Sequence, residues 1–195
     1  MKSGEGKKAV EIARKAIDLW VLKKEKYVPP RYPKSFDRKG GVFTTIYTHP
    51  GHELRGCIGY PEPFMPIIRS LINSAIHATE DPRFSRLDPE ELPNVVVEVS
   101  ILTPPRKIKA ERQEDIPGKI EIGKHGLIVR RWSMSGLLLP QVATEHGMNP
   151  KTFLEHTCMK AYLPTDAWLD PATTVYTFES HVFHEKSPPR KIDIE

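Results

Sequence analysis

Apolar positions recur along the chain in two periods, one helical and one alternating. Between residues 7 and 26, Val10, Ala13, Ile17, Trp20 and Val21 fall at helical spacing, with Glu11 and Lys15 four apart on the polar side, so this stretch predicts an amphipathic helix. Residues 27–40 form a proline-rich connector ending at Gly40-Gly41. The β-branched and aromatic run Val42–Thr48 predicts a strand, His49-Pro50-Gly51-His52 a turn, and Glu53 to Ile58 the returning partner strand. Pro66 then opens a helix to about Thr79, with Ile67, Ile68, Leu71, Ile72, Ala75 and Ile76 on its buried face. Asp81-Pro82-Arg83-Phe84 turns the chain, and Asp88-Pro89-Glu90-Glu91 reads as an N-cap, a first-turn proline and two acids opening a short helix.

Alternation is clearest in Asn94–Thr103, where Val95, Val97, Val99 and Ile101 share one face and Val96, Glu98 and Ser100 the other. Lys119–Ile122, Leu127–Arg130 and Leu137–Leu139 predict further strands, the last two joined through Trp132–Gly136. Asn149-Pro150 caps a helix to about residue 162, and Thr173–His184 is a last strand. Without a regular βαβ rhythm, this order predicts an α+β fold: mixed or antiparallel sheets with helices packed on one face.

Composition narrows the picture. A chain of 195 residues suits one globular domain or two small ones. The net charge of +4 is uneven: residues 1–40 hold twelve Lys or Arg against five Asp or Glu, a balance of +7, and the remainder seventeen against twenty, a balance of −3. The basic N-terminal part admits an RNA partner, although a solvated helix face also accounts for such charge. Two cysteines cannot build a disulfide framework, the start is polar, and no apolar run approaches the ~20 residues of a membrane span. A cytoplasmic protein with reduced thiols and no membrane partner is the expectation.

Candidate chemistry centres on Leu54-Arg55-Gly56-Cys57-Ile58-Gly59. In an extended strand Arg55 and Cys57 share a face, and a guanidinium beside a thiol favours the reactive thiolate. Gly56 and Gly59 would let a ligand approach the backbone. The opposing reading is a small cysteine that simply packs in a strand. Cys158, between Leu154 and Ala161 on a helix, reads as structural. His52, beside the turn, and Glu98, if covered, are candidate acids or bases for Cys57; Asp81, Arg83 and Ser100 are candidate substrate contacts. The sequence lacks a second C-x-x-C or H-x-x-x-H element to complete a zinc set, so no metal ligands are assigned. P-loop, dinucleotide-binding and G-x-S-x-G patterns are also absent.

The hexapeptide at 54–59 resembles the signature of the AMMECR family, named after a human chromosomal region linked to Alport syndrome, intellectual disability, midface hypoplasia and elliptocytosis. Glu80–Phe84, Val97–Pro104, Gly126–Val129 and Ser135–Val142 agree in order, so the likeness spans roughly residues 8–185. The short form of the chain resembles that of stand-alone archaeal members. The resemblance implies a single α+β domain of two intertwined subdomains. The smaller would span about 41–105 around the signature loop, the larger 7–40 plus 106–185, with 186–195 a loose tail. Family members occur fused to, or beside, Memo-type and radical SAM proteins, which implies a partner in a modification pathway. Folds likened to the domain handle nucleotides, nucleic acids and peptides, implying a small-molecule or nucleotide-like ligand. The family has no agreed catalytic residues, so whether the protein is an enzyme, a non-catalytic binding module or a scaffold in a modification pathway stays open, and its cofactor is unknown.

Overall fold

A computed structural model describes residues 3–189; the expected loose tail lies outside the described residues from position 190 on. The described residues form helices α1 (Ser3–Lys23), α2 (Ile67–Ala78), α3 (Pro140–Glu145) and α4 (Pro150–Lys160). The strands are β1 (Val42–Thr48), β2 (Leu54–Tyr60), β3 (Val95–Leu102), β4 (Arg106–Lys107), β5 (Gly126–Arg131), β6 (Met134–Leu138), β7 (Thr174–Phe178) and β8 (Ser180–His184). They make two four-stranded sheets, ordered β2-β1-β3-β8 and β4-β7-β5-β6, the α+β architecture that the mixed periodicities predict.

The chain divides into two compact units: one runs through Leu102 and resumes at His181, and the other is Thr103–Ser180. This differs from the expected partition in placing α1 with β1–β3. The reason is packing: α1 lies against α2 and β3 and buries Ala9, Ile12, Ala13, Ala16 and Ile17, more than a single amphipathic stripe. Arg14 and Asp18 are buried with them, at 5% and 2% exposure. Arg14 donates through Nε to Glu185 (3.0 Å) and through Nη2 to the Val95 carbonyl (2.8 Å), and its Nη1 lies 3.5 Å from the Asp18 carboxylate. Burial nevertheless pushes the Asp18 carboxyl up to about 6.

In the first sheet β1 pairs antiparallel with both β2 and β3. Val42, Thr44 and Ile46 stand opposite Ile101, Val99 and Val97, and this face meets α2, with Thr44 Oγ1 2.7 Å from Ser74 Oγ. The short helix expected after Asp88 is a 3₁₀ turn, Pro89–Asn94, closed by a capping box between Asp88 and Glu91.

The second unit is built on β5, whose Leu127 and Val129 join Phe153, Leu154, Cys158, Trp168 and Val175 in one core. Asn149 caps α4 by accepting from the Thr152 N–H at 2.9 Å. Cys158 is fully buried, and burial raises its thiol to about 11, in keeping with a structural role. Two expectations are corrected. Lys119–Ile122 is not a strand: Pro117–Lys119 is a 3₁₀ turn, and Ile116 and Ile120 drop into the core from turns. The single run Thr173–His184 breaks at Glu179 into β7 and β8, which serve different sheets. Among the described residues no helix is long and apolar enough to cross a membrane.

Candidate functional site

The signature hexapeptide is strand β2, and its geometry turns on a bulge. Thr48 N–H bonds the Glu53 carbonyl (2.8 Å) to close the hairpin, and Tyr47 pairs with Leu54. One step on, Ile46 pairs with Gly56, so Arg55 is an extra residue. Without it, Thr44 would pair with Cys57 and the cysteine would face α2. A one-residue slip moves every following side chain to the other face. The bulge therefore places Gly56 beneath α2 and Cys57 opposite Thr45, on the face that carries Phe43, Tyr47, Val96, Glu98 and Ser100.

The same bulge takes Arg55 out of alternation and corrects the expected Arg55–Cys57 pairing. The Arg55 guanidinium grips Glu91 through Nε (2.7 Å) and Nη2 (2.8 Å), and donates to the carbonyls of Ser85 (2.9 Å) and Arg86 (3.2 Å). Glu91 also accepts from the Asp88 N–H at 2.9 Å, so one carboxylate caps the 3₁₀ turn and anchors the bulge.

β2 is an edge strand, and Asp81 and Arg83 seal it. The Cys57 N–H donates to Asp81 Oδ2 (2.9 Å), and Arg83 Nη2 donates to the Cys57 carbonyl (3.3 Å). Asp81 also accepts from Arg83 N (3.0 Å), Nε (3.1 Å) and Nη2 (2.7 Å). These bonds hold its carboxyl well below the usual range, the Arg83 side chain contributing most. The turn thus supplies the donor and acceptor that a further strand would. Because the Cys57 backbone points outward, Thr45 and Cys57 form a non-hydrogen-bonded pair, whose side chains sit close. Thr45 Oγ1 donates to the sulfur at 3.2 Å.

The surroundings of the thiol favour its protonated form. Burial raises its pKa, outweighing the Thr45 hydroxyl and the Arg83 charge, which lower it. Arg83, not Arg55, is the cation acting on it.

Thr45 stands between Cys57 on one side and Glu98 on the other. Glu98 is half-buried, and among the described residues its carboxylate has no hydrogen-bond partner. Burial raises its pKa, and the nearby imidazoles of His184 and His52 act in the opposite direction. His52 adopts φ 53°, in the left-handed region, and stacks on Tyr47 with ring centroids 4.3 Å apart. Cys57 and Glu98 thus flank Thr45 on this face, with the imidazoles of His52 and His184 near enough to Glu98 for their charge to act on it.

The remaining expected contacts are filled by the chain itself. A Cβ on Gly56 would meet the Ala78 carbonyl, and one on Gly59 the Phe43 ring, so neither glycine leaves room for a ligand. Asp81 is 2% exposed and fully used by the edge seal. Ser100 is buried on the Glu98 face. Thr45 and His184 were not expected in the site. Counting the register from the turn would have found Thr45 only with the bulge included, and His184 required knowing that β8 joins this sheet. Among the described residues no group of three or more His, Cys, Asp or Glu is placed to hold a metal ion.

The fold and the sealed edge strand define an α+β protein built on a β-bulged signature strand with a desolvated carboxyl two strands away, across β1. The profile of the AMMECR1 family matches residues 10–183, and the chain belongs to that family. It is 46% identical over 187 residues to a protein of Methanopyrus kandleri, covering 94% of this chain and 90% of that one. It is 47% identical over 185 residues to a protein of Methanocaldococcus jannaschii, covering 94% and 92%. Among solved structures, that of the uncharacterized protein PH0010 from Pyrococcus horikoshii superposes with a TM-score of 0.85 at 42% identity, covering 96% of this chain and 95% of that one.

Proposed function

We propose that this protein is an enzyme, or a subunit of one, that acts on a small or nucleotide-like molecule with Glu98 as its acid–base group. The observation that carries the reading is a half-buried carboxyl with a raised pKa, no hydrogen-bond donor among the described residues, and two imidazoles close by. A carboxyl shifted toward neutrality gives and takes protons more readily near physiological pH. Cys57 lines the site with a thiol whose pKa burial raises, and His52, stacked on Tyr47, acts on Glu98 through its charge. Two free cysteines fit a reducing cytoplasm. A Memo-type or radical SAM protein is the partner that the family resemblance suggests for such a subunit.

The raised thiol favours a second reading, a non-catalytic binding module that uses the same face. A thermal-shift screen of nucleotides and phosphorylated metabolites, with product analysis of each hit, separates the two. For a substrate, wild type and Cys57→Ser convert it, while Glu98→Gln binds without conversion. Binding without turnover by the wild type supports the module. Turnover lost in Cys57→Ser but kept in Glu98→Gln overturns the assignment of Glu98.

A further inference from the structure

We propose a second binding site, for single-stranded nucleic acid, in the groove between the proline-rich connector and α2. It is independent of the Glu98 face. The groove holds about 590 Å³. It is lined by Met65, the buried Ile68 and Ile72, and by Tyr27 and Tyr32. Lys26 and Arg69 are the charged residues lining it, and no carboxylate does.

Three features point to a base-bearing polyanion. Tyr32 is 40% exposed, yet its ring is held at the rim because its hydroxyl donates to Asp37 Oδ1 at 3.1 Å. An exposed ring fixed in this way offers a stacking platform at small entropic cost. The cations are placed to meet phosphate: Lys26 Nζ is parked on the Asn73 amide oxygen at 2.8 Å, and Arg69 is near enough for its charge to act on the Tyr32 hydroxyl. Finally, residues 23–39 hold seven Lys or Arg against two acids, Glu25 and Asp37. A mononucleotide cannot neutralise that excess, whereas a strand of phosphates running along the connector can, with a base stacked on the Tyr32 ring.

Fluorescence anisotropy with single-stranded RNA and DNA of about twelve nucleotides, at several salt concentrations, tests the site. Affinity falls as salt rises, by ~0.7 logarithmic units per tenfold salt for each phosphate neutralised. Tyr32→Ala weakens binding about tenfold or more, because stacking on the ring is lost; Tyr32→Phe retains it, because the ring remains. The Lys26→Gln, Arg69→Gln pair lowers the salt slope by ~1.4. Any of three results overturns the proposal: no binding of either strand at low salt, an affinity indifferent to Tyr32→Ala, or equal competition by polyglutamate, which carries charge without bases.

Discussion

Asp81→Ala tests the edge seal most sharply. The carboxylate is 2% exposed and accepts four hydrogen bonds, one from the Cys57 N–H and three from Arg83. The Arg83 side chain is 57% exposed, so solvent screens that ion pair and it contributes at most ~1 kcal/mol. The bond from the Cys57 N–H to a charged acceptor contributes ~1.5–3 kcal/mol, and its loss leaves a backbone donor unpaired. The expected loss is therefore ~3 kcal/mol, or roughly 6–12 °C in melting temperature for a chain of this size. Arg83 and the backbone donors depress the folded carboxyl's pKa. Its stabilisation is then complete above the unfolded value of about 3.9 and is lost only as pH falls below that. Urea unfolding of wild type and variant should show the same difference at neutral and mildly acidic pH, shrinking only in stronger acid. A loss under ~1 kcal/mol, or a difference that fades above the ordinary carboxylate range, refutes the seal.

Gly56→Ala places a methyl group where the Ala78 carbonyl sits and should cost ~1–3 kcal/mol or more in urea unfolding; Gly118→Ala, with open space around it, should stay within ~0.5. Alkylation of Cys57 by iodoacetamide should follow a thiol pKa above the ordinary ~8.5, because burial raises it; a lower midpoint would restore the nucleophile. Asp18, raised to about 6 by burial, stabilises the fold most when protonated, so that contribution is lost as pH rises through about 6. The corresponding stability loss should be missing from Asp18→Asn, and its persistence there would assign the titration elsewhere.

The elements whose signal is local were legible in the sequence. Alternation in Val95–Ile101 marked β3 and both its faces, Pro66 marked the start of α2, and Asp88-Pro89 with Glu91 marked a capped turn. What escaped depends on contacts between distant residues. The bulge at Arg55 has no composition of its own, yet it decides which face Cys57 takes and sends the guanidinium to Glu91, 36 positions on. Asp81 reads as an ordinary turn residue until the Cys57 N–H, 24 positions back, is seen to end on it. Glu179, where β7 gives way to β8, interrupts a run whose residues all suit a strand. Cys57 and Glu98 were legible as candidates, and their protonation was not, because burial depends on everything packed around them.

Burial holds the Glu98 carboxyl protonated beyond its ordinary range, and the proposed acid–base role rests on this. Carbon-13 NMR of glutamate-labelled protein, with the Glu98 side-chain resonance assigned through Glu98→Gln, measures this directly. The midpoint should lie clearly above the ~4.3 of a free glutamate and move higher in His52→Ala or His184→Ala, as the imidazole charge that lowers it is removed. A midpoint at or below the free value would contradict the acid–base role.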